Sequence, residues 1–196
     1  LAAKGAKVAV VDIVGDNAQR TATEIGAAAI ALEADIGKAG PVQEVIAATV
    51  KAFGGLDIIV NNAGLSYKPV KVVNMDEELY DRVLDANLKS IFHFTKYGVP
   101  ELDKRGGGAI VNISSTSGVR PRAGNTVYAT SKAAAIAFTS GTSGFPKGVI
   151  HSQHNLVLPG EVLVATRGYD TTFRRGDFLS LTILNLIVLS TLTAAQ

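Results

Sequence analysis

Short apolar runs recur along the chain, and they constrain its fold more than any other feature. They are largely apolar and bounded by turn residues, a pattern typical of strands buried on both faces of a parallel sheet. The candidate strands are residues 7–12, 28–34, 56–60 and 109–114. The candidate helices are residues 16–26, 41–53, 75–102 and 127–138. Strands that alternate with helices predict an α/β fold, a parallel sheet with flanking helices.

The stretch of residues 109–132 carries most of the candidate chemistry. Ser115 directly follows the last candidate strand, and ligands of open α/β sheets bind at the carboxyl ends of the strands. Tyr128 and Lys132 lie four residues apart in the helix that follows. Residues at this spacing share one face of a helix.

These three side chains suit proton transfer at a carbonyl group. A free tyrosine has a pKa near ~10, and an adjacent ammonium such as that of Lys132 lowers it by favouring the phenolate. Ser115 can donate a hydrogen bond to the carbonyl while Tyr128 transfers the proton. The alternative is that Tyr128 and Lys132 belong to an exposed helix face without a catalytic role. The serine thirteen residues before the tyrosine favours the catalytic interpretation.

Together with Asn87 and the Asn-Asn-Ala-Gly turn at residues 61–64, this stretch resembles the short-chain dehydrogenase/reductase family. The resemblance covers about residues 1–138. It implies a Rossmann-like sheet and NAD(P)-dependent hydride transfer between an alcohol and a ketone. The implied substrate is therefore a small-molecule alcohol or ketone.

The resemblance also implies a role for each residue of the site. Tyr128 would be the acid/base and would also contact the cofactor. Lys132 would lower the pKa of Tyr128 and hold the nicotinamide ribose. Ser115 would orient the carbonyl, and Asn87 would hold a water molecule in the proton relay.

Two aspartates lie where the family contacts the adenosine of its cofactor. Asp12 ends the strand at residues 7–12, where a carboxylate binds the ribose hydroxyls and repels a 2′-phosphate, so it favours NAD over NADP. The alternative is an N-cap or turn aspartate. Asp35 would lie near the adenine amino group. The turn that includes Asn61, Ala63 and Gly64 would steady the sheet and approach the cofactor through its backbone.

The longest helical segment, residues 75–102, begins after Asn74 as the expected N-cap. Asn87 lies in its middle, where an asparagine is usually a tolerated surface residue. In the family this helix and the helix of Tyr128 often form a four-helix dimer interface. A homo-oligomer is therefore expected.

One part of the family pattern is absent from the sequence. The first strand and the glycine-rich turn that binds the pyrophosphate would precede Leu1. Without that strand, two strand edges would either stay unpaired or come together in an arrangement foreign to the family. The chain does not begin with methionine, which suggests that its true N-terminus is missing.

After residue 138 the sequence changes character. Residues 139–148 resemble the phosphate-binding loop of adenylate-forming enzymes, the acyl-CoA synthetase and ligase family, and the resemblance extends over residues 139–196. It implies a site for ATP with Mg²⁺, because small residues let backbone amides surround phosphate oxygens. The expected phosphate-binding residues are Thr139, Ser140, Gly141, Thr142, Ser143, Gly144 and Lys147. The alternative is a flexible linker.

The chain is thus divided into two domains, residues 1–138 and 139–196, and we interpret it as a chimera of two gene fragments. Other functions left open are an ATP-binding fragment and a catalytically inert fold. The run at residues 179–194 is apolar but shorter than the ~20 residues of a membrane span. We interpret it as core packing, with membrane insertion as the alternative.

Composition excludes several other classes of protein. A net charge of +2 over 196 residues argues against a nucleic-acid binder. No cysteine is present, so disulfides, thiolate nucleophiles and Cys-type zinc sites are excluded. The three histidines form no convincing metal site. No signal peptide is visible, and a cytoplasmic location is expected.

Overall fold

The computed structural model of the chain describes residues 1–138. The described strands are β1 (Val8–Asp12), β2 (Ala29–Glu33), β3 (Ile58–Asn61) and β4 (Ala109–Asn112). The described α-helices are α1 (Gly15–Ile25), α2 (Ala39–Phe53), α3 (Glu77–Leu84), α4 (Ser90–Lys104), α5 (Thr116–Val119) and α6 (Thr126–Phe138). Strands and helices alternate, so the predicted α/β class is confirmed.

The sheet is divided into two parallel pairs of strands. β1 pairs with β2, and Asp12 lies opposite Glu33 at the carboxyl ends. β3 pairs with β4, and Asn61 lies opposite Asn112. Within residues 1–138 no strand joins the two pairs. Strand edges are therefore unpaired within these residues, which is one of the two arrangements that the family pattern predicts.

The helices pack through small or apolar residues at helical spacing. Ala18 and Ala22 of α1 are buried, and their small side chains let this helix approach β1 and β2 closely. Val42, Val45 and Ile46 form the buried face of α2, which packs against α4. This apolar face of α2 is thus part of the core.

The prediction that β3 and β4 are buried on both faces is wrong. Every second side chain is exposed: Ile58 by 46%, Val60 by 43%, Val111 by 44% and Ile113, just after β4, by 39%. Ile59, on the other face, is 6% exposed and packs near Gly98 of α4. The apolar composition expected for a doubly covered sheet is present, but only one face is covered.

The single helix predicted for residues 75–102 is divided into three parts. The Asp76 side chain accepts a hydrogen bond of 2.6 Å from the Leu79 amide, so Asp76, and not the expected Asn74, is the N-cap of α3. Asn74 ends a 3-10 turn. A π-helical turn, Asp85–Lys89, separates α3 from α4. A π-helical turn contains more residues than an α-helical turn, so the side chains that follow it are rotated about the helix axis.

The expected second domain, residues 139–196, lies outside the described residues. The same holds for the seven expected phosphate-binding residues and for the apolar run at residues 179–194. Among the helices of residues 1–138, none is both long enough and apolar enough to cross a bilayer.

Candidate active site

Helix α6 carries Tyr128 and Lys132 on one face. The Nζ atom of Lys132 lies 6.0 Å from the centroid of the Tyr128 ring. Tyr128 is half-buried in the first turn of the helix. An ammonium at this distance from a phenol ring interacts favourably with its π electrons.

Lys132 is a buried cation, only 5% exposed. Its Nζ donates a hydrogen bond of 2.9 Å to the carbonyl of Ile113, directly after β4. Burial lowers the pKa of Lys132 from its ordinary value of 10.5, because desolvation disfavours the ammonium. A Cβ added at Gly64 would lie 3.2 Å from Nζ, so the turn after β3 approaches the ammonium closely.

Ser115 lies at the carboxyl end of β4 and is the N-cap of α5. Its Oγ accepts a hydrogen bond of 3.1 Å from the Ser117 amide. The neighbouring Ser114 donates a hydrogen bond of 2.6 Å to the carbonyl of Lys132. Gly118 of α5 touches the backbone of α6, because a Cβ there would lie 2.8 Å from the Lys132 carbonyl carbon. The turn that carries Ser115 is therefore fixed against the helix that carries Tyr128 and Lys132.

Asn87 lies in the π-helical turn and is 2% exposed, so the general expectation of a surface asparagine is wrong here. Its Oδ1 accepts a hydrogen bond of 2.6 Å from the Leu65 amide. Its Nδ2 donates to the Leu65 carbonyl at 3.0 Å and to Ser131 Oγ at 3.0 Å. Both donors of the amide are thus used by protein groups. A relay water would have to bind Asn87 by its remaining acceptor capacity or by its main chain.

Ser131, which the sequence analysis did not single out, completes this network. It is fully buried, and its Oγ donates a hydrogen bond of 2.7 Å to the Tyr128 carbonyl. Ser131 therefore links the π-helical turn to the backbone of the candidate acid/base. Its position next to Lys132 was the only sequence signal available.

The turn at residues 61–64 follows β3. Asn61 Nδ2 donates a hydrogen bond of 2.7 Å to Asn112 Oδ1 and so joins the ends of β3 and β4. The Asn61 carbonyl accepts from the Ile113 amide at 3.0 Å. Ala63 and Gly64 continue from there towards Asn87 Oδ1, which lies 3.1 Å from a Cβ added at Gly64. The turn steadies the strand ends beside the site.

Asp12 and Asp35 lie at the carboxyl ends of the other strand pair. Asp12 Oδ1 accepts a hydrogen bond of 2.8 Å from the Val14 amide, so the turn role weighed as an alternative is present. A carboxylate has further acceptor capacity for ribose hydroxyls. Asp35 accepts from the Gly37 amide at 3.0 Å and forms an ion pair of 3.1 Å with the exposed Lys38.

The described part of the chain contains an apolar groove and no metal-binding cluster. No group of three or more His, Asp or Glu residues there is arranged to hold a metal ion. An apolar groove lies between α3 and the start of α6. It is lined mainly by Val72, Met75, Tyr80, Leu84, Val127 and Thr130. Val127 and Thr130 project from the side of α6 away from Tyr128 and Lys132, so this groove is separate from the candidate active site.

Comparison with known proteins decides the family. The family described as short chain dehydrogenase matches residues 1–165. The chain belongs to the short-chain dehydrogenase family. The match continues past residue 138, into the segment for which the sequence suggests a second resemblance.

Three similar members of the short-chain dehydrogenase family show its range. The 4-formylbenzenesulfonate dehydrogenase of Comamonas testosteroni is 40% identical over 113 residues, which cover 58% of this chain and 45% of that protein. The galactitol 2-dehydrogenase of Agrobacterium fabrum is 38% identical, with 70% of this chain and 54% of the relative covered. The 3-ketoacyl-(acyl-carrier-protein) reductase of Brucella melitensis, complexed with NADH, superimposes with a TM-score of 0.69 at 35% identity. That match covers 71% of this chain and 59% of the reductase. The chain thus spans about half the length of such relatives.

The short-chain dehydrogenase family binds NAD(H) or NADP(H), and the described residues fit part of such a cofactor. Gly64 leaves beside Lys132 Nζ a space that a Cβ would fill, and Tyr128 borders the same ammonium. Asp12 and Asp35 lie at the carboxyl ends of β1 and β2, the edge at which ligands of open α/β sheets bind. Over residues 1–138, no glycine-rich turn joins a strand to a helix N-terminus for the pyrophosphate.

Proposed function

We propose that this short-chain dehydrogenase is an NAD-dependent oxidoreductase that interconverts an alcohol and a ketone by hydride transfer. The observation that carries the proposal is the placement of the buried Lys132 ammonium 6.0 Å from the Tyr128 ring. The turn of Ser115 is fixed against the same helix. NAD would supply the hydride acceptor in the oxidation of the alcohol.

Three side chains have distinct roles in this proposal. Ser115 donates a hydrogen bond to the substrate oxygen and fixes its orientation. Tyr128 removes the hydroxyl proton of the alcohol, or returns it to the ketone in the reverse reaction. Lys132 provides positive charge beside the phenol and binds the nicotinamide ribose.

Asn87 has a supporting role. Its amide holds Leu65 and Ser131, and Ser131 holds the Tyr128 carbonyl. This network ties the turn after β3 to α6. The relay water is assigned to Asn87 on the family resemblance.

Turnover by a Tyr128→Phe variant tests the proposal. Phenylalanine keeps the ring and removes the group that carries the proton, so kcat/KM is expected to fall by ~10²–10⁴-fold. Steady-state oxidation of a panel of secondary alcohols, followed by NADH absorbance, measures the effect. Binding of NADH and the circular dichroism spectrum are expected to stay unchanged.

The matched control is Tyr97→Phe. Tyr97 lies on α4, and its ring centroid lies 6.3 Å from that of His93. The Tyr97→Phe variant loses the same hydroxyl group, but outside the site. Its kcat/KM is expected to stay within about twofold of the parent value. Equal activity of the Tyr128→Phe variant and the parent would refute the assignment.

NAD, rather than NADP, is proposed because of Asp12. Its carboxylate would repel a 2′-phosphate. Asp12→Asn keeps an acceptor for the Val14 amide, seen at 2.8 Å, and removes the charge. The ratio of kcat/KM for NADP to that for NAD is expected to rise about 10-fold or more in this variant. An unchanged ratio would remove Asp12 as the selecting residue.

Two further hypotheses accompany this function. A homo-oligomer, expected from the family, is supported by the 46% exposure of Phe92 on α4. ATP-phosphate binding by residues 139–148 is still a prediction from sequence, and a titration with ATP tests it independently of hydride transfer.

A further inference from the structure

The first turn of α6 is capped by a side chain from a distant loop. The hydroxyl oxygen of Tyr67 accepts hydrogen bonds from the amides of Val127, at 3.1 Å, and Tyr128, at 3.3 Å. Because α6 begins at Thr126, these are the second and third amides of the helix. Such amides have no partner within a helix and are normally capped by the residue that precedes it.

That preceding residue, Asn125, does not cap the helix. Its carbonyl accepts the first helical hydrogen bond, from Ala129 at 2.9 Å, as an N-cap residue should. Its side-chain Oδ1 is nevertheless buried without a hydrogen-bond partner. Asparagine is among the best capping residues, but here the Tyr67 hydroxyl, and not the Asn125 side chain, accepts from the amides of the first turn.

The loop of Tyr67 is anchored on both sides. Leu65 is held by Asn87 through two hydrogen bonds, of 2.6 and 3.0 Å. The Val70 amide donates a hydrogen bond of 2.9 Å to the carbonyl of Gly124. The backbone that carries Tyr67 is therefore held in place, and the Tyr67 hydroxyl can determine where α6 begins.

We propose that Tyr67 is a positioning residue for hydride transfer, which caps the amide of Tyr128 and thereby sets the distance between Tyr128 and Lys132. Lys132 has an anchor of its own, at the carbonyl of Ile113. Tyr128 lies in the first turn, where a helix without a cap frays. Loss of the Tyr67 hydroxyl thus moves the acid/base and leaves the cation in place. The inference rests on the proposed function only in its kinetic part.

Amide exchange, followed by NMR, tests the cap without any turnover. In a Tyr67→Phe variant, the Val127 and Tyr128 amides are expected to exchange about fivefold faster, or more, than in the parent, the effect of losing one typical cap. Amides of α2 should keep their rates. Unchanged exchange of both first-turn amides would overturn the proposal, whatever the enzyme's activity.

Kinetics test the positioning. For Tyr67→Phe, kcat is expected to fall about 10-fold to 100-fold because the acid/base is misplaced. The dissociation constant of NADH is expected to stay within twofold, since Tyr67 has no part in the proposed cofactor contacts. A normal kcat alongside faster amide exchange would refute the positioning role. Tyr97→Phe is again the matched control.

A second variant separates positioning from a general loss of stability. In Tyr67→Phe/Asn125→Asp, the carboxylate at the N-cap can accept from the amides that Tyr67 has released. Both amide protection and kcat are expected to recover to within about threefold of the parent. Recovered protection with kcat still low would contradict the proposal. A parent chain without turnover would refute the proposed function alone, because the exchange experiment would still decide the cap.

Discussion

A buried cation lies in the candidate active site. Lys132 is 5% exposed, and its Nζ donates one hydrogen bond, to a main-chain carbonyl. No carboxylate within the described residues pairs with it. A buried ammonium without a counter-ion costs free energy. A cost of this kind at a functional position is expected where the charge serves chemistry rather than folding.

This cost predicts how stability depends on pH. The pKa of Lys132 is lowered in the folded chain from 10.5. Between the folded and unfolded values, the unfolded chain therefore binds more protons, and stability rises with pH. The penalty is fully present below the folded pKa. It amounts to about 1.4 kcal/mol for each unit by which the pKa is lowered.

Lys132→Met isolates this effect. The melting temperature of the parent, relative to that of the variant, is expected to rise as pH increases towards 10.5. Thermal unfolding at several pH values measures it. Lys51→Met, which removes an exposed lysine of α2, is the control for the loss of a lysine outside the site. Parallel curves for parent and Lys132→Met would contradict the prediction.

At this scale, sequence reasoning depended on local motifs. Ser115, Tyr128 and Lys132 are predicted as site residues from their spacing, which places the serine after a strand and the other two on one face of α6. Tyr67 could not be found in that way. Its partners are 60 and 61 positions away, and a tyrosine that caps a distant helix leaves no pattern in its own segment.

At the scale of elements, α5 is the part that joins Ser115 to α6. The helix is one turn long, and it depends on the absence of a side chain at Gly118. An added Cβ would lie 2.8 Å from the Lys132 carbonyl carbon and 2.9 Å from the Ala133 amide nitrogen. Both of these are backbone atoms, so neither can rotate away.

Gly118→Ala is therefore expected to push α5 from α6. The substitution should lower the free energy of unfolding by ~1–3 kcal/mol and reduce kcat by displacing Ser115. The control is Gly40→Ala in α2, where an added Cβ meets nothing within 4 Å. This control should raise stability by ~0.4–1 kcal/mol. Urea denaturation of both variants measures the contrast, and equal effects would disprove the role of the close contact.

Helices and strands were predicted to within a few residues, apart from the one-turn helix α5, which was not predicted, and the segment at residues 75–102. Its sequence has the composition of one continuous helix, and the π-helical turn Asp85–Lys89 has no local signature. Tertiary contacts determine it, since Asn87 is held by Leu65 and Ser131. The choice of Asp76 over Asn74 as N-cap depended on geometry, because both residue types cap well.

At the scale of the whole molecule, the described strands form two separate parallel pairs rather than one continuous sheet. Unpaired strand edges were one of the two outcomes expected from the family pattern. The exposure of one face of β3 and β4 was not inferred. A run of Val and Ile indicates that a strand is suited to burial. Whether both of its faces are covered depends on other segments of the chain.

That open face has a thermodynamic consequence. The heat capacity increment of unfolding reflects the apolar surface that unfolding newly exposes to water. Ile58, Val60, Val111 and Ile113 are already 39–46% hydrated in the folded chain. Residues 1–138 should therefore contribute less than the ~12–15 cal/mol/K per residue of fully covered domains. Their stability curve is correspondingly flatter, so warming and cooling change the free energy of unfolding only gradually.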